Sequence, residues 1–176
     1  MTDWIKAINP TAPITTEGEA LGAARASAIG VGVGVVVGIV GIVQMIIKKD
    51  EIAAAATAAA GSDPAAVSMA GAMTQGMLYV AIAFVVIQAI IAFVQWAKPN
   101  IIIPILFLVL VIGGFALAMI GQMMPSPVER PEIPVWQTGL TVIIAVVQSV
   151  LHIAGIRGAS KLDKIRFKAA NQDDNY

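Results

Sequence analysis

A chain of 176 residues with 58% hydrophobic and only 12% charged residues has about half the charge of an ordinary water-soluble domain. Its 11 basic residues balance 11 acidic ones, so no electropositive surface for nucleic acid is expected. The absence of cysteine excludes disulfides, thiolate metal sites and a cysteine nucleophile.

The chain begins with a stretch, residues 1–15, that contains Pro10 and Pro13 and is expected as a loose tail rather than a long helix. Trp4, Ile5 and Ile8 suit a membrane surface. Met-Thr-Asp-Trp-Ile-Lys lacks the basic start of a secretory signal, and the apolar run behind it is late and long, so an uncleaved chain is expected. Thr16-Glu17-Gly18-Glu19 then reads as a capping box, with Thr16 as N-cap and Glu19 reaching back to it.

The first span, about 26–47, is uncharged and long enough to cross a bilayer, which takes about 20 apolar residues. Ala26, Gly30, Gly34 and Gly38 recur every fourth residue, with Gly41 one turn on, which places them on one helical face. Glycine costs a helix about 1 kcal/mol against alanine. A stripe of it therefore signals close helix contact in lipid. Gly30, Gly34, Gly38 and Gly41 are the candidate packing surface, and Gly34→Leu is expected to break assembly while leaving insertion intact. Gly30, Gly32 and Gly34 do not form a nucleotide loop, because no strand precedes them.

Lys48-Lys49-Asp50-Glu51 need not end this helix, since Ile52 to Ala60 is almost pure alanine. Gly61 suits a helix C-terminus, Asp63 an N-cap and Pro64 the first helical position. A helical hairpin turning at Gly61-Ser62 is expected, with arms reaching about 12 residues, some 18 Å, beyond the membrane. A flexible alanine-rich loop is the alternative.

The second span, about 77–96, follows a Met69, Met73, Met77 stripe suited to packing rather than to copper(I). Ala81, Gln88, Ala92 and Gln95 share a face. A glutamine amide in lipid needs a partner, so Gln88 is expected against another helix. Trp96 to Asn100 forms an interfacial turn. The third span, about 101–123, has Pro104 in its first turn and a small-residue stripe at Gly114, Ala118 and Gly121.

Pro125, Pro127, Pro131 and Pro134 make a stiff, solvated connection. In the fourth span, about 135–155, Thr138, Thr141, Ala145, Gln148, Ser149 and His152 share a face that must meet protein or water. The remaining stretch, 156–176, sets Arg157, Lys161, Lys164 and Lys168 on one helical face, a basic amphipathic extension suited to lipid headgroups.

The expected fold is an all-α integral membrane protein with four transmembrane helices. Residues 16–98 form a long helical hairpin that projects from the membrane, and residues 99–155 a second hairpin. Lys6, Arg25, Lys98 and the five C-terminal cations fall on one side, against Lys48, Lys49 and Arg130 on the other. This asymmetry places both termini in the cytoplasm.

Asp, Glu, Lys and Arg are absent from all four apolar cores, whereas ion-coupled carriers usually place one at depth. His152 is the only histidine. No nucleophile, base and orienting group assemble. No catalytic residue, metal or cofactor is expected. The reading is a non-catalytic structural subunit of an oligomeric envelope assembly, with membrane lipid and either further copies or other membrane subunits as partners. The alternatives are a pore-forming, holin-like protein and a small transporter or membrane enzyme.

The size, the Ala/Gly-rich spans, the N-terminal sequence and the helix-turn-helix over Thr16 to Lys98 resemble small hydrophobic subunits of conjugation and type IV secretion machinery, of the I-type plasmid and Dot/Icm-like kind. The charged loop from Lys48 to Pro64 is similar to that of conjugative pilins, which are helical hairpins; here a second pair of spans follows. The resemblance implies a bacterial inner-membrane protein, assembly into a pilus or secretion channel, and bound phospholipid between subunits.

Overall fold

The computed structural model describes residues 3–61, 63–124 and 134–173. Among these are six α-helices and no strand: α1 (Trp4–Ile8), α2 (Glu17–Ile47), α3 (Lys49–Ala60), α4 (Pro64–Ala97), α5 (Ile102–Met123) and α6 (Val135–Asp173). Four of them, α2, α4, α5 and α6, are long and apolar enough to cross a membrane. The chain is an all-α, multi-pass membrane protein.

The capping box at the head of α2 forms as its residues dictate. Thr16 Oγ1 accepts from the Glu19 N–H at 3.2 Å, and Glu19 Oε2 accepts from the N–H groups of Thr16 and Thr15 at 3.2 and 2.8 Å. Two donors left over at the helix start are thus satisfied. The helix runs to Ile47. A single residue, Lys48 (φ −96°, ψ 12°), then leaves helical geometry before α3 resumes. This one-residue break separates α2 from α3 where an unbroken helix was open to the sequence. Gly61, at φ +72°, ends α3 in a conformation that a side chain would strain. Asp63 Oδ1 accepts from the Ala65 N–H at 2.9 Å with Pro64 at the first helical position. α3 folds back on α4 as the second arm of a helical hairpin. Ser62 lies outside the described residues, as does the proline-rich connection from Pro125 to Ile133.

α2 is the central helix. It packs most extensively on α6 and next on α4, while α5 is held mainly by α6. α6 is continuous over 39 residues. The stretch from residue 156 therefore continues the helix of the fourth span, with Gly158, Ala159 and Leu162 buried.

The expected loose tail is tied down. Asp3 Oδ1 caps α1 by accepting from the Lys6 N–H at 3.2 Å. Trp4 stacks on Trp96 with ring centroids 5.8 Å apart, Lys6 pairs with Glu19, and Arg157 donates to the Ala12 carbonyl at 3.3 Å. The core lies at this end of the bundle. Ala20, Ala23, Ala24, Ala26, Ala28 and Val31 of α2 and Leu151, Ala154, Ala159 and Leu162 of α6 are all buried, and Ala26 clusters with Leu151 and Ala154. Small residues dominate it, so backbone proximity rather than side-chain bulk supplies the packing.

A polar seam on the glycine face of α2

The glycine face of α2 is occupied inside the chain. A Cβ at Gly30 would lie 3.1 Å from His152 Cε1 and 3.2 Å from Leu151 Cβ, both on α6. At Gly34 it would lie 3.1 Å from Gln148 Nε2 on α6 and 3.3 Å from Gln88 Oε1 on α4. At Gly38 it would press into Val85 Cγ2 of α4 at 2.5 Å. Gly30, Gly34 and Gly38 thus admit α6 and α4 of their own chain. Each glycine removes one methyl where a neighbouring helix passes, which is the physical use of small residues in lipid.

The stripe has a counterpart on α6 that the sequence reading missed. A Cβ at Gly155 would meet Ser27 Cβ at 2.5 Å, and one at Gly158 would run into the backbone between Ala23 and Ala24. The signal was present as Ala154-Gly155 and Gly158-Ala159, small pairs one turn apart, whose glycines face Ser27, Ala23 and Ala24. The contact reaches about one turn further toward the N-terminus of α2 than a stripe counted from Ala26 suggests.

Polar groups are threaded along this face in levels. At the first, Gln95 is fully buried. Its amide Nε2 donates to Ser27 Oγ at 2.9 Å, the Ala24 carbonyl at 3.4 Å and the Asn100 carbonyl at 3.1 Å, and its Oε1 accepts from the Asn100 N–H at 3.2 Å. Asn100 Oδ1 in turn accepts from the N–H groups of Ile102 and Ile103 at 3.0 Å each. One glutamine thereby ties α2 and α4 to the turn that starts α5. The Arg25 Nε donates to the Trp96 carbonyl at 3.0 Å and its guanidinium lies 5.2 Å over the Trp96 ring, which fits an interfacial level.

At the next level His152 is fully buried, with Phe107 of α5 tilted against it at 5.8 Å between ring centroids. Neither ring nitrogen has a hydrogen-bond partner in the protein. One turn deeper, Gln148 Nε2 donates to the Gly30 carbonyl at 3.2 Å, while the Gln88 Oε1 is buried without a protein donor. Gln88 faces α2 as expected. Leaving a buried polar group unpaired costs about 1–3 kcal/mol, so these atoms are the least settled part of the core. Beyond them the seam ends at Gly38 and Val85.

The other expected positions do not join this seam. A Cβ at Gly41, Gly114 or Gly121 would meet nothing within 4 Å, and Ala118 is exposed. Thr141 is exposed, so the expected polar face of the fourth span is split. Ser149 instead lines a cavity of about 250 Å³ between α5 and α6 with Phe115, Val146 and Ile153. Arg157 is half-buried on the Ala12 carbonyl, while Lys161, Lys164 and Lys168 are exposed around the 70% exposed Phe167. Met69, Met73 and Met77 are exposed and pack on nothing within the chain's core. Arg166 pairs with Glu17 at 2.9 Å. Among the described residues no three His, Cys, Asp or Glu cluster to hold a metal ion.

Outside the spans, the Lys6 ammonium, together with the Thr15 and Thr16 donors, holds the Glu19 carboxyl well below the usual range, at about 2. Its charged form is thus tied to the docking of α1. No protein-family model, curated protein or solved structure matches the chain.

Proposed function

We propose that the chain is a non-catalytic structural subunit of an oligomeric assembly in a bacterial inner membrane, of the kind that builds a conjugative pilus or type IV secretion channel. One observation supports this reading most: the α3–α4 hairpin is uncovered. α3 buries no residue and α4 buries only Gln95. Lipid accounts for the exposed apolar residues of the spans. It does not account for the arm beyond them, where Ile52, Met69 and Met73 are exposed. An alanine-rich helix of 12 residues is marginal in water on its own, and α3 has little besides α4 to pack on. An arm of this kind projecting from the membrane is stabilised by neighbouring copies or other membrane subunits.

The cations fit both termini lying in the cytoplasm. Arg25 and Trp96, Lys6 and Glu19, Arg157 and Ala12, and Arg166 and Glu17 are all paired, which gathers the basic residues of both termini at one end of the bundle. Lys161, Lys164 and Lys168 then face anionic lipid or the subunit's neighbours. The mass of the purified protein in mild detergent, with bound lipid counted, tests the reading. A large and uniform oligomer is expected. A clean monomer at all protein concentrations would contradict it, and ion conductance of that monomer in bilayers would favour the pore-forming alternative.

A further inference from the structure

Among the described residues, three buried side-chain polar atoms have no protein partner: Nδ1 and Nε2 of His152 and Oε1 of Gln88. They stand within one helical turn of each other along α2, at Gly30 and Gly34. Their neighbours are already engaged. The Gly30 carbonyl accepts from Gln148, and the Gln95 amide is used on Ser27, Ala24 and Asn100. Of the three atoms, the amide oxygen needs a donor, and a neutral imidazole needs one donor and one acceptor. A cation cannot accept the imidazole N–H, and an anion cannot donate to the amide oxygen. Water does both.

We propose that the α2–α4–α6 seam is an internal water-binding site, with ordered water bonded to His152 of α6 and Gln88 of α4 and so joining those two helices across the glycine face of α2. Gln148 Nε2 and Gln88 Oε1 both close over Gly34, 3.1 and 3.3 Å from where a Cβ on it would stand, and His152 closes over Gly30 about one turn away, so the unpartnered atoms share one face of α2 and a water there has several polar neighbours. The site is closed at both ends. Toward the chain termini the Gln95–Ser27 pair and Gly155 fill the seam, and in the other direction Val85 seats on Gly38. The seam is therefore a water pocket and not a conduit.

His152 is the only histidine, so a ¹⁵N-histidine label reports this site alone. Solid-state NMR of the full-length protein in lipid bilayers, with magnetisation passed from water protons to the label, tests the proposal. The expected result is a neutral imidazole in contact with water, with build-up slower than for the exposed Lys164 ammonium under the same conditions. In Gln88→Leu the transfer is expected to fall by about twofold, since the site loses one of its polar anchors. No transfer from water in the unaltered protein, or ring nitrogens bonded directly to protein carbonyls, would overturn the site. Transfer as fast as at Lys164 would overturn its closure.

Discussion

Gly158 and Gly114 differ in what a methyl group would meet. At Gly158 a Cβ would stand 2.5 Å from the Ala23 carbonyl carbon and 2.8 Å from the Ala23 Cβ, whereas at Gly114 it would meet nothing within 4 Å. Backbone cannot swing aside as a flexible side chain can. Gly158→Ala is therefore expected to force α2 and α6 apart and to cost at least the upper end of the about 1–3 kcal/mol typical of overpacking. Gly114→Ala is expected to stay within about 0.5 kcal/mol, as substitutions away from packed contacts do. Thermal unfolding in mild detergent, followed by tryptophan fluorescence, separates them: a clear fall in midpoint for the first and almost none for the second. Equal midpoints would contradict the close approach of α2 and α6. Gly34→Leu belongs with Gly158, since its side chain would displace Gln148 and Gln88; it is expected to damage the fold of the single chain before any assembly. A different residue sets the response to acid. Glu19 has its pKa lowered from an ordinary 4.5 to about 2 by the Lys6 ammonium and the Thr15 and Thr16 donors. A depressed carboxyl contributes stability that is complete above its unfolded value and is lost as pH falls toward its folded one. Docking of α1 is thus expected to be full above pH 4.5 and to weaken progressively as pH falls toward about 2. The carboxyl ¹³C shift of Glu19 in a pH titration checks this, and a midpoint near 4.5 would show that the Lys6 pair does not hold.

At the scale of helices, the punctuation was legible because each stop and start is local chemistry. Thr16 and Glu19 announce α2 by hydrogen bonds across a single turn. Gly61, Asp63 and Pro64 close the hairpin because positive φ, an N-cap oxygen and a missing N–H suit those positions and few others. The break at Lys48 was not legible, since neither proline nor glycine marks it and its flanks are good helix formers. Docking of α1 was hidden for a different reason. Its anchors, Trp4 on Trp96 and Arg157 on Ala12, join residues far apart in the chain, and only the folded arrangement brings them together. The glycine stripe was visible, but not the helix it faces. Spacing fixes a face; the partner depends on which helix has a matching run of small residues, and here Gly155 and Gly158 supply it from the far end of the chain. Gln88, Gln148 and His152 were visible as polar groups that must avoid lipid. That two of the three would keep unpartnered atoms follows from rotamers and helix phase, which spacing alone does not set.

The whole molecule divides into a packed end and an open end. The packed end joins α1, the first turns of α2, the last turns of α4 and the second half of α6, and it contains nearly every buried residue. The open end is the α3–α4 arm, in which α3 buries nothing. Two ends with such different burial should separate under deletion. Replacing residues 50–75 by a short flexible linker removes α3 and the first turns of α4 while keeping Met77 to Ala97 of that helix. The contacts of Gly30, Gly34, Gly38, Gly155 and Gly158 all lie outside the deleted segment, as do the Gln95 bonds to Ser27 and Asn100. The shortened chain is therefore expected to insert and fold, with a tryptophan fluorescence midpoint close to that of the full chain. Its mass in mild detergent is expected to fall from that of an oligomer to that of a monomer, because the surface that needs neighbours is gone. If the shortened chain fails to fold, the arm belongs to the core of the single subunit. If it folds and keeps its full oligomeric mass, the contact between subunits lies on the spans, where the open face of α5 at Gly114 and Ala118 is the next surface to change.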